Sequence, residues 1–362
     1  MPSKTDFANF AIGTVFNDAI VTGTVKPPLN SIKISYPSRL EAMALDPGKI
    51  ADNNNLIYKA GQIDFCVALY KDIKVTIDTQ SADITVSDRT PRKALVLHAA
   101  LIMRQALGFE DGLKIDVFDA VDLRHCGLGS SSSLIAGTAA AINELFGTPI
   151  TPLNLVRYCA QNHGEEINGS KNTLVPVQCI GGSGVCGHFE GGLVILSGEA
   201  TPIMTERLPE ELLVVFGVPA DFEHLDSQEL MNAEIENIAG FKASGDEFGP
   251  LIAYRLIHEA MPGIAEGNLK PMKDLIFDYR WDMGSIKNCS FVYPRMNEIA
   301  ESLRPLRDDD DVAIIALSSV GPGFFALTSN PDKVEAEFQK LGLNTYVTSI
   351  HNGKYIVNSK EK

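Results

Sequence analysis

The chain has 362 residues, 45% hydrophobic and 21% charged, enough to bury a large core and to form two domains. Its net charge of −15 argues against nucleic acid or an anionic membrane as partner, since both demand a basic surface; a phosphorylated ligand held by local cations and a metal is compatible with it. No apolar run reaches the roughly 18 residues of a membrane span, no basic segment precedes a long apolar core at the N-terminus, and six scattered cysteines without a Cys-x-x-Cys pair fit reduced thiols in the cytoplasm.

Residues 1–30 alternate short apolar runs with turn residues and close on Pro27-Pro28. They read as an extra hairpin or as an arm on a partner subunit. Ser31 to Tyr36 alternates polar and apolar and predicts a strand, leading into Arg39-Leu40 and then Asp46. Asp52 to Asn55 predicts a loop. Lys59 to Asp64 precedes two predicted strands, Phe65 to Leu69 and Ile73 to Ile77. Arg92 to Leu107 places Leu95, Ala99, Ile102 and Ala106 on one helical face, and Gly108 ends it. Thr151-Pro152 opens a helix to about Asn162. Strands follow at Leu193 to Leu196 and Leu212 to Pro219, then helices at 251–259, 269–279 and 293–303. Asp308 to Asp311 reads as a solvated turn rather than a metal site, because neighbouring acids point apart. A helix at 332–341 and strands at 346–350 and 355–357, around a turn at Asn352-Gly353, complete an α+β chain.

The stretch Arg124-His125-Cys126-Gly127-Leu128-Gly129-Ser130-Ser131-Ser132-Ser133 separates a predicted strand, Leu113 to Val117, from a predicted helix, Leu134 to Phe146. Gly127 and Gly129 permit a tight turn and close approach to a ligand. Ser130, Ser131 and Ser132 add hydroxyls and N–H groups that lack partners inside the helix, at the end whose dipole favours negative charge. The pattern suits a phosphate or diphosphate, although a Ser-rich cap without a ligand has the same composition. A second Gly-rich segment starts at Gly181-Gly182-Ser183-Gly184 and closes at Gly191-Gly192. A third, Ser318-Ser319-Val320-Gly321-Pro322-Gly323, lies between two apolar runs. Together the three read as a polyanion cradle in which Gly182, Ser183, Ser319 and Gly321 join the first loop.

Gly127-Leu128-Gly129-Ser130-Ser131 after a strand and before an Ala-rich helix resembles the phosphate-binding motif of the GHMP kinase superfamily, and Ser319 to Gly323 resembles its C-terminal Gly-rich motif. The resemblance covers about residues 31–358. It implies a GHMP-kinase-like two-domain fold: residues 1–30 as an extension, 31–197 and 198–358 as the domains, and the active site in the cleft between the halves. The kinases usually have Pro four residues before the first Gly, where this chain has Leu123. Many carry a catalytic Asp shortly before a Gly-Gly pair, and this segment has only Glu190 next to Gly191-Gly192.

Other segments resemble beta-ribofuranosylaminobenzene 5′-phosphate synthase and related C-nucleoside synthases: His125 two residues before Gly127, Arg39-Leu40 with Asp46, Gly61 to Asp64, Gly181 to Gly192, and Ser318 to Pro322. Glu41, Phe65-Cys66 and Ser132-Ser133 depart from that pattern. This second resemblance implies decarboxylating transfer of ribosyl from phosphoribosyl pyrophosphate to a carbon of an aromatic or heteroaromatic carboxylic acid, with pyrophosphate and CO₂ released, in a Mg²⁺-using homodimer. With it His125, Arg39 and Asp64 are the candidate catalytic residues, Lys59 and Arg124 the candidate substrate cations, and Asp46 or Asp64 is expected to hold the metal or the ribose hydroxyls, Asp46 being the candidate metal ligand. Arg39 is expected to project from a strand end into the cleft, where its planar fork takes a carboxylate or phosphate; Arg280 is a further candidate cation. An ATP-dependent small-molecule kinase and a non-catalytic ligand-binding protein of the same fold are the alternatives.

Overall fold

A computed structural model describes residues 9–16, 25–46, 61–119, 121, 123–176, 181–224 and 226–362. In chain order the strands are β1 (Phe10–Ala11), β2 (Ser31–Ala44), β3 (Gln62–Asp78), β4 (Ile84–Val86), β5 (Gly112–Asp119), β6 (Gly164–Glu166), β7 (Thr173–Pro176), β8 (Leu193–Ser197), β9 (Thr201–Glu206), β10 (Leu213–Pro219), β11 (Val312–Leu317), β12 (Phe324–Thr328), β13 (Leu343–Ser349) and β14 (Ile356–Glu361). The helices are α1 (Lys93–Leu107), α2 (Ser130–Leu145), α3 (Pro152–Gln161), α4 (Gly181–His188), α5 (Ser227–Glu236), α6 (Ile238–Arg255), α7 (Met261–Ala265), α8 (Lys270–Phe277), α9 (Ser285–Cys289), α10 (Met296–Leu303) and α11 (Pro331–Lys340).

Among the described residues three sheets make this α+β fold, two large ones and the short β1-β7-β6. The first runs β14-β2-β3-β5-β4, with β8 on the far end of β3 and β9 beside β8. The second is antiparallel, β11-β12-β10-β13. The expected division at 197/198 falls in the turn between β8 and β9, two strands of the first sheet. The chain also returns to that sheet with β14, beside β2. The strands around Asn352-Gly353 thus belong to different sheets and do not form a hairpin.

β2 continues past the expected end at Tyr36. Pro37 cannot donate to the ladder, and the register shifts between Pro37 and Ser38, so a bulge absorbs the missing donor and pairing resumes to Ala44. The two runs expected at 65–69 and 73–77 form the single strand β3. Of the two charged residues between them, Lys71 is buried and reaches Ser38 Oγ at 3.3 Å and Asp119 at 3.5 Å, and Asp72 pairs with Lys33 at 3.0 Å, so neither breaks the strand.

α2 is buried almost throughout, as its Ala-rich sequence with apolar residues all round requires. It packs with α1, α3 and the first sheet into one core containing Ile34, Val75, Ile102 and Ile142. A second core runs across both sheets, from Leu40 and Phe65 to Phe216, Phe325 and Ile276, and it takes in Cys126 and Leu128 of the motif. Those two apolar side chains anchor the Gly-rich loop between the halves. The described part of the first 30 residues packs on its own chain. β1 pairs with β7, Phe10 enters the first core, and the Val25 N–H donates to the Leu107 carbonyl at 3.0 Å. Among the described residues no helix is long and apolar enough to cross a membrane.

Candidate active site

The loop before α2 is held in a turn that L-residues rarely adopt. His125, Gly127 and Gly129 have φ of 52°, 98° and 59°. Gly127 is a close approach as well as a turn, since a Cβ there would lie 2.5 Å from the Ser318 carbonyl oxygen. The first and third Gly/Ser segments therefore meet backbone to backbone. Ser318 Oγ donates to the Gly127 carbonyl at 2.8 Å and accepts from the Glu41 N–H at 3.1 Å. The Ser319 N–H donates to the Glu41 carbonyl at 2.9 Å.

Arg280 fastens this junction. Its guanidinium donates to the carbonyls of Ala42 (2.6 Å), Glu41 (2.9 Å) and Ser319 (2.8 Å) and to Ser285 Oγ (3.0 Å). It is buried and engaged with backbone, which removes it as a substrate cation.

Arg39 is also turned inward. Because β2 continues to Ala44, Arg39 lies within the strand rather than at its end and is only 4% exposed. It faces the Gly127 carbonyl at 3.4 Å, Glu41 at 3.2 Å and Asp64 at 3.7 Å. The expectation of a guanidinium projecting into the cleft is corrected to one that braces the loop. Asp64 on β3 has no exposed surface, and burial raises its carboxyl to about 8 against the pull of Arg39. It positions Arg39. Asp46 lies past the end of β2, seven residues from Arg39 and up to roughly 20 Å along the strand, next to Leu45, whose N–H meets the Gly61 carbonyl. Lys59 lies outside the described residues.

The other flank of the loop holds a group that sequence reasoning passed over. Arg92, the residue before α1, donates to Glu166 at 2.9 Å, Glu165 at 2.8 Å and Ser130 Oγ at 3.4 Å, and also to Ser131 Oγ. Burial alone would raise the Glu165 carboxyl; Arg92, then His163, outweigh it and hold it well below the usual range. Lys71 lies beneath, where burial lowers its ammonium pKa against the opposing pull of Asp119, with Arg92 lowering it further. The available signal was an arginine at a helix N-cap. Ser, Thr, Asp or Asn normally stands there, and the dipole disfavours a cation.

Above the loop, His125 Nε2 lies 3.1 Å from Ser227 Oγ at the start of α5, and burial lowers the imidazole pKa. Arg124 beside it is half-buried. Ser130, Ser131 and Ser132 form the first turn of α2 behind Gly129, so the expected row of N–H groups is present. The second Gly-rich segment is not a loop: Gly181 to His188 is α4, packed on α2, α3 and β2. Gly187 lies so close to the Tyr36 ring that no Cβ fits, so this glycine serves helix packing. Gly182 and Ser183 form the first turn of α4, while Gly192 at the other end meets Ile350 and Asn352.

Residues 94–182 match the model of the GHMP kinases N terminal domain. No curated protein matches the sequence. Among solved structures, homoserine kinase from Cytophaga hutchinsonii is 16% identical with a TM-score of 0.59, covering 93% of this chain and 100% of that one. Mevalonate diphosphate decarboxylase from Staphylococcus aureus is 14% identical with a TM-score of 0.62, covering 91% and 98%. L. major mevalonate kinase is 13% identical with a TM-score of 0.61, covering 91% and 100%. The chain thus carries a GHMP kinases N terminal domain at 94–182 within a GHMP-kinase-like two-domain fold.

Proposed function

We propose that the protein is a decarboxylating phosphoribosyltransferase, joining phosphoribosyl pyrophosphate to an aromatic or heteroaromatic carboxylic acid to give a C-riboside 5′-phosphate. The observation that carries this reading is the position of Glu190. Transfer of a phosphoryl group to a hydroxyl calls for a carboxylate beside the acceptor. Glu190, the acid next to Gly191-Gly192, instead lines a cavity with Arg207, His351, Asn352 and Lys354, at the crossing from β13 to β14. Ribosyl transfer needs no such base at the donor. It needs donors aimed at a leaving diphosphate and a pocket for a ring.

In this reading the N–H groups of Ser130 to Ser132 receive the diphosphate, and Arg92 adds charge through Ser131. His125, neutral and held by Ser227, orients the donor; Arg124 takes the acceptor carboxylate. Arg39 and Asp64 hold the shape of the loop. Magnesium, when bound with the donor, would supply charge neutralisation at the diphosphate. Ser131 Oγ and Glu165 next to the loop already accept from Arg92, and among the described residues no cluster of acids or histidines is gathered to hold a metal, so magnesium would be held by the diphosphate itself.

The test is a panel of aromatic acids with phosphoribosyl pyrophosphate and Mg²⁺, scored for CO₂ and pyrophosphate, with ATP and hydroxyl substrates in parallel. Equimolar CO₂ and pyrophosphate from at least one acid is expected. ATP-dependent phosphorylation of an alcohol without CO₂ release overturns the reading in favour of a kinase, the activity named for two of the structural neighbours.

A further inference from the structure

The turn from β13 to β14 forms one wall of a cavity of about 670 Å³, a size within the range of small-ligand clefts. The groups of this wall are fixed by their own hydrogen bonds. Asn352 accepts from the Leu208 N–H at 2.9 Å through Oδ1 and donates to the Leu208 carbonyl at 2.7 Å through Nδ2. His351 is buried. Its Nε2–H donates to the Lys354 carbonyl at 2.8 Å, so Nδ1 accepts from the Tyr70 hydroxyl at 3.0 Å. The Tyr355 hydroxyl donates to Glu144 at 2.9 Å, and the ring stacks on Tyr36. A wall fixed in this way costs a ligand little reorganisation.

Four charged side chains line the cavity, the cations Arg207 and Lys354 and the acids Glu190 and Glu210. Among the described residues none of the four makes an ion pair, with another of the set or with any other group. Arg207 donates through Nη1 to the Asn352 carbonyl at 2.8 Å, which holds its guanidinium at the turn. Glu190 Oε2 lies beside Gly353, 3.8 Å from where a Cβ would stand. All four are exposed, so water hydrates them and their separation stores no strain. Leu212 and Ile350, both buried, add an apolar part to the lining.

A purely anionic ligand would meet two acids here, and a purely cationic one two cations. A dipolar ion satisfies both pairs. We infer that this cavity is a second binding site and takes a free α-amino acid with an apolar side chain, as an effector. The carboxylate sits on the Arg207 fork, which offers parallel hydrogen bonds. The ammonium sits on Glu190, and the side chain lies on Leu212 and Ile350. Lys354 and Glu210 supply the second charge on each side.

The site is separate from the phosphate loop. Glu144, which holds Tyr355, lies near the far end of α2 from Ser130, roughly 20 Å away by the rise of a helix. The amino acid is therefore no substrate of the transfer proposed above, and its binding does not depend on that reaction. Three contacts connect the cavity wall with the loop. The His351 N–H donates to the Cys66 carbonyl at 2.8 Å, Cys66 pairs with Arg39 across the ladder, and Arg39 faces the Gly127 carbonyl at 3.4 Å. Affinity at the loop is thus where occupancy of the cavity should be felt.

Calorimetry on the full chain uses L-leucine, L-methionine, L-phenylalanine and L-tryptophan as probes, each beside its N-acetyl and amide derivatives. Saturable binding of at least one amino acid is expected. Each derivative should bind about tenfold more weakly or worse, the loss of one charge-assisted hydrogen bond. Arg207→Gln and Glu190→Gln should weaken the amino acid by a similar factor at an unchanged melting temperature, since both side chains are exposed. Lys354→Gln leaves the bond from Arg207 to Asn352 in place and should also weaken binding. Absence of binding by all four amino acids, derivatives that bind as well as their parents, or unchanged affinity in all three variants overturns the inference. With saturating amino acid, the Kd for inorganic pyrophosphate should move by about twofold or more and reach a plateau. An unchanged Kd overturns the effector role. A shift that grows without limit marks competition at the phosphate loop and overturns the second site. None of these measurements needs turnover, so their failure is distinguishable from failure of the ribosyl-transfer reading.

Discussion

The two flanks of the Gly127 loop handle buried charge in opposite ways. On the α1 side, Arg92 meets Glu165 and Glu166, His163 faces Glu165, and the same guanidinium reaches Ser130 and Ser131. Each charge there has a counter-charge. On the β2 side, Arg280 is occupied by backbone carbonyls, which leaves Arg39 to face Glu41 and Asp64. A saturated cluster fixes geometry. An unsaturated one carries acids whose protons are easily moved, and that is where acid–base work can occur.

The largest expected effect comes from breaking the saturated flank. Arg92→Leu removes the cation from two acids, of which Glu165 is held strongly ionised. Loss of one partner of a buried pair typically costs about 3–5 kcal/mol. Urea unfolding at pH 7 should show a loss of that order, and phosphate affinity should fall with it. A loss below about 1 kcal/mol would erase the distinction between the flanks.

Next in size is the junction joining them. Gly127→Ala must place a methyl 2.5 Å from the Ser318 carbonyl oxygen at a φ of 98°. The strain and the displaced backbone should cost about 2–3 kcal/mol. Donor binding measured by calorimetry should weaken in protein that remains folded. Unchanged affinity would mean that the first and third loops act separately.

These contacts explain what the sequence could and could not disclose. The helix after Gly129, the strand at 213–219 and the two outer Gly/Ser motifs were legible because local glycine chemistry and periodicity specify them. The second Gly-rich segment misled, because Gly187 serves a close helix contact with Tyr36, and composition does not distinguish a packing glycine from a turn glycine. Arg39 misled through Pro37: a proline normally ends a strand, and the bulge that rescued this one depends on a partner strand, β3, read from elsewhere in the chain.

A pH scan sharpens the comparison from a third, saturated position. His98 Nδ1 accepts from the Gly13 N–H at 3.0 Å, so its Nε2–H donates to the Asn162 carbonyl at 2.6 Å. Burial lowers this imidazole from 6.5 to about 4. Between those values the unfolded chain binds a proton that the folded chain refuses. Stability is therefore full above about 6.5 and declines as the pH falls toward 4, by at most about 3 kcal/mol. His98→Gln should flatten part of that acid limb. An unaltered limb would place the acid sensitivity elsewhere, His188 being the other deeply buried imidazole with a strongly lowered pKa.

The smallest effect on stability is expected at Asp64, the buried acid of the unsaturated flank. Its carboxyl is raised from 3.8 to about 8, so between those values the folded chain holds a proton that the unfolded chain has released. The sign is thus opposite to that of His98: the contribution is full below about 3.8 and is lost as the pH rises toward 8. Asparagine has the shape of the protonated acid and carries no charge. Asp64→Asn should therefore cost less than about 1 kcal/mol at pH 7, far below the cost of removing Arg92, because Arg39 keeps Glu41 and the Gly127 carbonyl. Melting curves at pH 5, 7 and 9 should decline less steeply in the variant than in the parent. Turnover should fall only modestly, since Asp64 has no exposed surface with which to touch a substrate. A loss above about 2 kcal/mol at pH 7, with the parent's alkaline decline intact, would mean that Asp64 is ionised and paired like Glu165. The two flanks would then be alike.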